Sequence, residues 1–150
     1  MSLTLYKKKR KFSNTPEPKG KIKKSGKKLI FVIHEHRASH HHWDFRLEIN
    51  KILKSWVIPK QPPKTKGVKR LAIQVENHPI DYANFEGIIP EGQYGAGTVK
   101  IWDKGTYELK EKDSKKIEFV LHGKKLKGKY VLIKTHYGNK PEKSWLFFKV

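Results

Sequence analysis

An all-β fold, an antiparallel barrel or sandwich, is what this sequence predicts. Its apolar residues gather in short β-branched and aromatic runs, turn residues separate those runs at regular intervals, and no segment sustains a helical period. A βαβ sheet would need amphipathic helical stretches between its strands, and the pattern supplies none. No internal repeat is visible.

The elements follow in order. Residues 1–28 read as a basic arm, with eleven Lys and Arg against the single acid Glu17, and with Pro16, Pro18, Gly20 and Gly26 between. Such a segment is extended or disordered when free, and can dock on a domain or wrap a phosphate backbone. The domain itself is expected over 29–150. Strands are expected over 29–33, 42–50, 52–58, 70–76, 98–102, 106–109, 116–122, 129–135 and 144–150. The second alternates strictly, with Trp43, Phe45, Leu47 and Ile49 on one face and His42, Asp44, Arg46 and Glu48 on the other. A turn at Asn50-Lys51 makes it a hairpin with its successor. Turn residues at 59–67, 87–97, Asp103-Lys104-Gly105, His122-Gly123 and Tyr137-Gly138-Asn139 separate the others.

The 150 residues suffice for one domain with a modest core, and 36% of them are hydrophobic. The formal net charge of +20 opposes compaction by self-repulsion, so a polyanionic partner, DNA or RNA first, is the natural expectation. An anionic membrane surface, an acidic protein, or charge carried for solubility are the alternatives. The absence of cysteine excludes disulfides, thiol catalysis and thiolate zinc sites. No apolar run approaches the ~20 residues of a membrane span, and no apolar stretch follows the early lysines as in a secretory signal. A cytoplasmic chain without membrane attachment is expected.

Five of the eight histidines fall between His34 and His42. On the alternating strand His42, Asp44 and Arg46 project from one face, about 7 Å apart in succession. A turn through 37–41 would bring His36 back to them. Two imidazoles and a carboxylate suit a divalent ion such as Mn²⁺, Zn²⁺, Co²⁺ or Fe²⁺, and Arg46 beside it could grip a phosphoryl oxygen bidentately. Surface histidines on a basic nucleic-acid binder are the plainer reading. A second cluster, Glu76-Asn77-His78-Pro79-Ile80-Asp81-Tyr82, closes the 70–76 strand. There His78 suits a third metal ligand, a phosphate donor or a general acid, and Tyr82 a hydrogen-bond donor. The 85–97 stretch is glycine-rich but lacks a P-loop's Gly-Lys-Ser/Thr ending; its glycines read as permitting positive φ or close backbone approach.

Together these segments resemble the 3′-phosphoesterase domain of bacterial DNA ligase D and its stand-alone archaeal relatives. The likeness spans roughly residues 5–150. It rests on Phe31-Val32-Ile33-His34-Glu35-His36, His42-Trp43-Asp44-Phe45-Arg46-Leu47-Glu48, Leu53-Lys54-Ser55-Trp56-Val57-Ile58-Pro59-Lys60, Arg70-Leu71-Ala72-Ile73-Gln74-Val75-Glu76-Asn77-His78-Pro79 and Ile89-Pro90-Glu91-Gly92-Gln93-Tyr94-Gly95-Ala96-Gly97. It implies a compact antiparallel β-barrel of about eight strands, few short helices, and a surface groove with a manganese-type site. It further implies removal of a 3′-terminal ribonucleoside from a primer to leave a 3′-phosphate, then hydrolysis of that phosphate to a 3′-hydroxyl. By the same likeness His36, His42 and Asp44 match the metal ligands. Arg46, His78 and Tyr82 match residues around the scissile phosphate, with Lys60 and Arg70 as further contributors and Arg10 and Glu17 aligned in the arm. Two positions depart: Arg10-Lys11-Phe12 stands where relatives usually read Arg-Asp-Phe, and His34 where they often carry glutamine. The ligase and polymerase domains that accompany the module in bacteria are not expected here; a monomer working beside a separate ligase or polymerase is. A non-catalytic nucleic-acid-binding barrel and a small-molecule phosphatase are the competing functions.

Overall fold

The structure, a computed structural model, describes residues 3–20, 28–136, 138 and 140–150. Nine strands run in chain order: β1 (Leu29–Arg37), β2 (His41–Ile49), β3 (Ile52–Ile58), β4 (Lys69–His78), β5 (Gly87–Ile89), β6 (Gly97–Lys112), β7 (Lys116–His122), β8 (Lys127–Lys134) and β9 (Ser144–Lys149). One short helix, α1 (Thr4–Lys8), and two 3₁₀ turns, Ile80–Asn84 and Pro141–Lys143, complete the described elements. The sheet is antiparallel in the order β1-β2-β3-β4-β9-β8-β7-β6, and β6 pairs back onto β1, closing an eight-stranded barrel. Strand β5 is the ninth, laid along the first residues of β6. The expected barrel is therefore the fold, and closure leaves its eight wall strands without a free edge along most of their length.

Alternation along the strands builds two cores. Phe31 and Ile33 of β1, Trp43, Phe45 and Leu47 of β2, and Trp56 of β3 point into the barrel, where they meet Phe119 and Phe147. The opposite face of β1 to β3 is also covered. Tyr6 of the arm, Tyr82 and Ala83 of the 3₁₀ turn, Phe85 and Ile89 pack there against Val32, Leu53 and Val99. Polar residues on the outer face of β1 and β2 therefore lie under a second layer instead of in open solvent.

Several expectations change. The segments expected as 98–102 and 106–109 are one strand, β6, so Asp103-Lys104-Gly105 is not a turn. Asp103 is buried, and its carboxylate accepts the backbone N–H groups of Lys124 (2.9 Å), Lys125 (3.2 Å) and Leu126 (2.8 Å), holding the β7–β8 loop. Gly105 is needed because a Cβ there would stand 2.2 Å from the His122 carbonyl oxygen. Strand β1 runs past Ile33 through Arg37, taking the first histidines into the sheet, and β5 lies inside the stretch expected as a connection. The arm, expected as extended or disordered when free and able to dock on the domain, carries α1 and packs on the barrel through Tyr6. Arm residues 21–27 and turn residues 137 and 139 lie outside the described residues. Asn50 and Lys51 both take positive φ, 53° and 65°, the two-residue hairpin turn that the right-handed strand twist favours. Among the described residues no helix is long and apolar enough to cross a membrane.

Candidate active site

The β1–β2 hairpin sets His36 directly opposite His42. Asp44 and Arg46 follow at the two-residue spacing of β2, on the outer face. One nitrogen of each imidazole is committed to a backbone carbonyl. His36 Nε2–H donates to Gly95 (2.7 Å) and His42 Nδ1–H donates to His40 (2.9 Å). That fixes the tautomers and turns the remaining nitrogens toward Asp44: His36 Nδ1 lies 3.5 Å from Oδ2, and His42 Nε2 3.2 Å from Oδ1. One ligand atom from each of the three lies within 4.8 Å of the others. Lone pairs facing a carboxylate repel unless a proton or a cation stands between them. Carbonyl-braced imidazoles around a carboxylate are the donor set of a divalent transition metal, so these residues fit such an ion.

Burial alone would raise the Asp44 carboxyl, but Arg46 and the two imidazoles hold it well below the usual carboxylate range. Burial opposes charge on His42 as well, yet its contact with Asp44 raises it above an ordinary histidine.

Arg46 is gripped on several sides. Its Nη2 lies 3.5 Å from Asp44 and its guanidinium 4.9 Å from the Tyr82 ring centre, while its Nη1 passes 3.2 Å from His78 Nδ1 without a hydrogen bond, because that nitrogen carries the proton given to Glu76. Its Nε–H donates to His34 Nδ1 (3.3 Å), and His34 Nε2–H donates in turn to the Phe85 carbonyl (3.0 Å). Burial first, then the Arg46 charge, pushes His34 down to about 3, so the ring is a neutral relay. A glutamine amide would offer the same pair, one acceptor and one donor.

His78 is aimed by an irregularity in β4: Leu53 faces His78 and Ser55 faces Val75, so β4 carries one extra residue. This turns His78 to the outer face beside Leu53. Its Nδ1–H reaches the Glu76 carbonyl (3.0 Å), and Nε2 accepts from Arg10 Nη2 (3.4 Å). Burial, then Arg46 and Arg10, hold it well below the ordinary histidine value.

The arm completes the cleft. Arg10 Nε donates to Glu17 (2.8 Å) and Nη1 to Glu76 (3.3 Å), while Lys9 pairs with Glu76 (3.3 Å). Tyr82 donates to Glu17 (2.6 Å), and Thr15 donates to the other Glu17 oxygen (3.0 Å). Burial raises the Tyr82 phenol well above its normal value, keeping it a donor.

The structure thus brings together His36, His42, Asp44, Arg46, His78, Tyr82 and Arg10 around one cleft, with Glu17 behind it bracing Arg10 and Tyr82. Lys60 and Arg70 are elsewhere, in a depression lined by Pro59, Lys60, Lys69, Arg70 and Leu71. A shelf formed by 38–42, Val57 and Pro59 lies between, sharing His42 and Val57 with the cleft and Pro59 with the depression. Sequence reasoning gave no role to Glu76, Tyr94 or the Gly95 carbonyl. Glu76 and the Tyr94-Gly95 pair sat inside segments already singled out, but only tertiary contact shows what they touch.

Chains of known kind share this pattern. Residues 34–134 match the family described as the DNA ligase D 3′-phosphoesterase domain. The multifunctional non-homologous end joining protein LigD of Pseudomonas aeruginosa is 45% identical over 154 residues, which cover 98% of this chain and 18% of that protein. The LigD of Mycobacterium tuberculosis is 45% identical over 139 residues, covering 89% and 18%. That of Mycolicibacterium smegmatis is 44% identical over 156 residues, covering 96% and 20%. This chain therefore spans about a fifth of the length of these relatives. Because the matched segment carries the barrel wall and its histidine–aspartate cluster, the chain belongs to the DNA ligase D 3′-phosphoesterase domain family.

Proposed function

We propose that this chain is a divalent-metal-dependent phosphoesterase of nucleic-acid 3′ ends, serving repair by end joining. It removes a 3′-terminal ribonucleoside, leaving a 3′-phosphate, and hydrolyses that phosphate to a 3′-hydroxyl. The observation that carries this reading is the convergence of His36, His42 and Asp44 within 4.8 Å, with the Arg46 guanidinium 3.5 Å from Asp44. His36, His42 and Asp44 would hold the ion, Mn²⁺ by family likeness or Co²⁺ or Zn²⁺ by donor chemistry. Bound there, it would draw negative charge from a non-bridging phosphoryl oxygen.

The chain's own groups supply the rest. Arg46 holds a second phosphoryl oxygen, its fork kept in plane by the His34 relay. Arg10, braced by Glu17 and Glu76, meets the phosphate from the arm side. Burial is the first cause that keeps His78 unprotonated, and an anion seated between Arg10 and Arg46 offsets the further part that their charges add. The proton affinity of His78 then rises while substrate is in place, when the departing oxygen needs a proton. Tyr82, protonated and tied to Glu17, orients rather than abstracts. Lys60 and Arg70 hold phosphates of the strand leading away from the cleft. A ligase or polymerase would then use the restored 3′-hydroxyl.

The test is Asp44→Ala assayed with Mn²⁺ on a labelled primer bearing 3′-terminal ribonucleotides. The wild type is expected to trim it and to bind one Mn²⁺ per chain. The variant is expected to lose both, by about 10³-fold or more in rate. Undiminished trimming by the variant would reject the ligand set.

A further inference from the structure

Tyr94 is the most exposed aromatic side chain among the described residues that line the cleft. Among the described rings lining it, Tyr82 is 2% exposed with its hydroxyl taken by Glu17, whereas Tyr94 is 48% exposed. Its loop is well braced. Gln93 N–H donates to the Pro90 carbonyl (3.2 Å) and Ala96 N–H to the Gln93 carbonyl (3.1 Å). Gly97 lies so close to β1 that a Cβ would stand 2.3 Å from the Arg37 carbonyl oxygen. The next residue after Tyr94, Gly95, gives its carbonyl to His36. An exposed ring is therefore fixed one residue from a support of the metal-ligand set. Lys9 Nζ donates to the Tyr94 hydroxyl (3.2 Å) and lies 4.6 Å from the ring centre, and the Arg10 guanidinium lies 5.4 Å from it.

We propose that Tyr94 is the stacking platform for the base of the 3′-terminal nucleoside, so that the cleft reads the presence of a base and not its identity. This inference rests on the phosphoesterase reading above. The phosphate-directed groups, Arg46 and His78, are buried at the floor. A sugar and base attached to the phosphate must then project toward the mouth, where Tyr94 stands. A phenol face accepts every nucleobase, because each presents a π-surface. Lys9 and Arg10, whose charges lie over the ring, draw the polyanion toward it.

The experiment compares two primers under Mn²⁺, one ending in an ordinary ribonucleoside and one whose terminal ribose carries hydrogen in place of the base. The readout is the ratio of kcat/KM between them. The wild type is expected to favour the base-bearing primer by roughly 10-fold or more, chiefly in KM, and equally for all four bases. In Tyr94→Ala the ratio is expected to fall toward one. Tyr94→Leu, apolar but not planar, should do the same, while Tyr94→Phe should keep the wild-type ratio. A tyrosine that only latched the arm through Lys9 would slow both primers alike and leave the ratio unmoved, and that result would overturn the proposal. So would a wild type with no preference for the base. A wild type that trims neither primer overturns the phosphoesterase reading and this proposal with it, whereas trimming with an unmoved ratio overturns this proposal alone.

Discussion

The buried imidazole of His34 does the work of a primary amide: one ring nitrogen accepts from Arg46 and the other donates to Phe85. His34→Gln is expected to keep activity within about 3-fold, since the relay survives, whereas His34→Ala frees the guanidinium and should lower kcat by about 10- to 100-fold. Steady-state rates on a 3′-phosphate primer would check both. The same residue makes a statement about pH. His34 titrates near 6.5 when unfolded and is pushed down to about 3 when folded. Between these values the unfolded chain binds the extra proton, so stability is full above the unfolded value and falls as pH drops toward the folded one. At about pH 5 the histidine costs on the order of 2 kcal/mol that glutamine does not. His34→Gln should therefore melt close to the wild type at neutral pH and distinctly above it at pH 5. Melting curves that stay parallel through acid would contradict a buried neutral ring.

At the scale of elements, Asp103 shows how a strand can look like a turn. Asp-Lys-Gly is ordinary turn chemistry, yet here the aspartate holds a neighbouring loop by three N–H groups and the glycine lets the His122 backbone approach. Asp103→Ala would leave those N–H groups without their acceptor, that of Leu126 buried and those of Lys124 and Lys125 partly so, and should destabilise the barrel by about 2 kcal/mol. Chemical denaturation would measure it, with Asp103→Asn, which keeps a carbonyl oxygen, as the milder variant. Strand β2 was legible for the opposite reason: its alternation is local, so Trp43 and Phe45 inside oblige His42, Asp44 and Arg46 outside. The return of His36 through 37–41 was expected, but its place on a strand paired with His42 was not. The contribution of the arm was not legible at this level. Arg10 meets Glu76 and His78 across more than sixty residues, and no local period connects them. Nor does the extra residue in β4 that aims His78 announce itself in the composition of that strand.

Over the whole molecule, the barrel interior carries the fold and the covered outer face carries the chemistry, while a net charge of +20 surrounds both. The cleft ion pairs are buried and poorly screened, whereas Lys60 and the surrounding lysines stand in solvent, where added salt acts strongly. Salt should therefore separate the two functions. For about six phosphates contacted, KM for a duplex primer should rise roughly 10³-fold between about 50 and 200 mM salt, with kcat nearly constant. Lys60→Ala and Arg70→Ala should each lower the slope of log(kcat/KM) against log salt by about one, because each removes one phosphate contact. Arg46→Ala should instead act chiefly on kcat, since its partner is the reacting phosphoryl group. Unmoved slopes in both Lys60→Ala and Arg70→Ala would take the depression beside the cleft out of the path of the strand, and would place the electrostatic footprint on another face of the barrel.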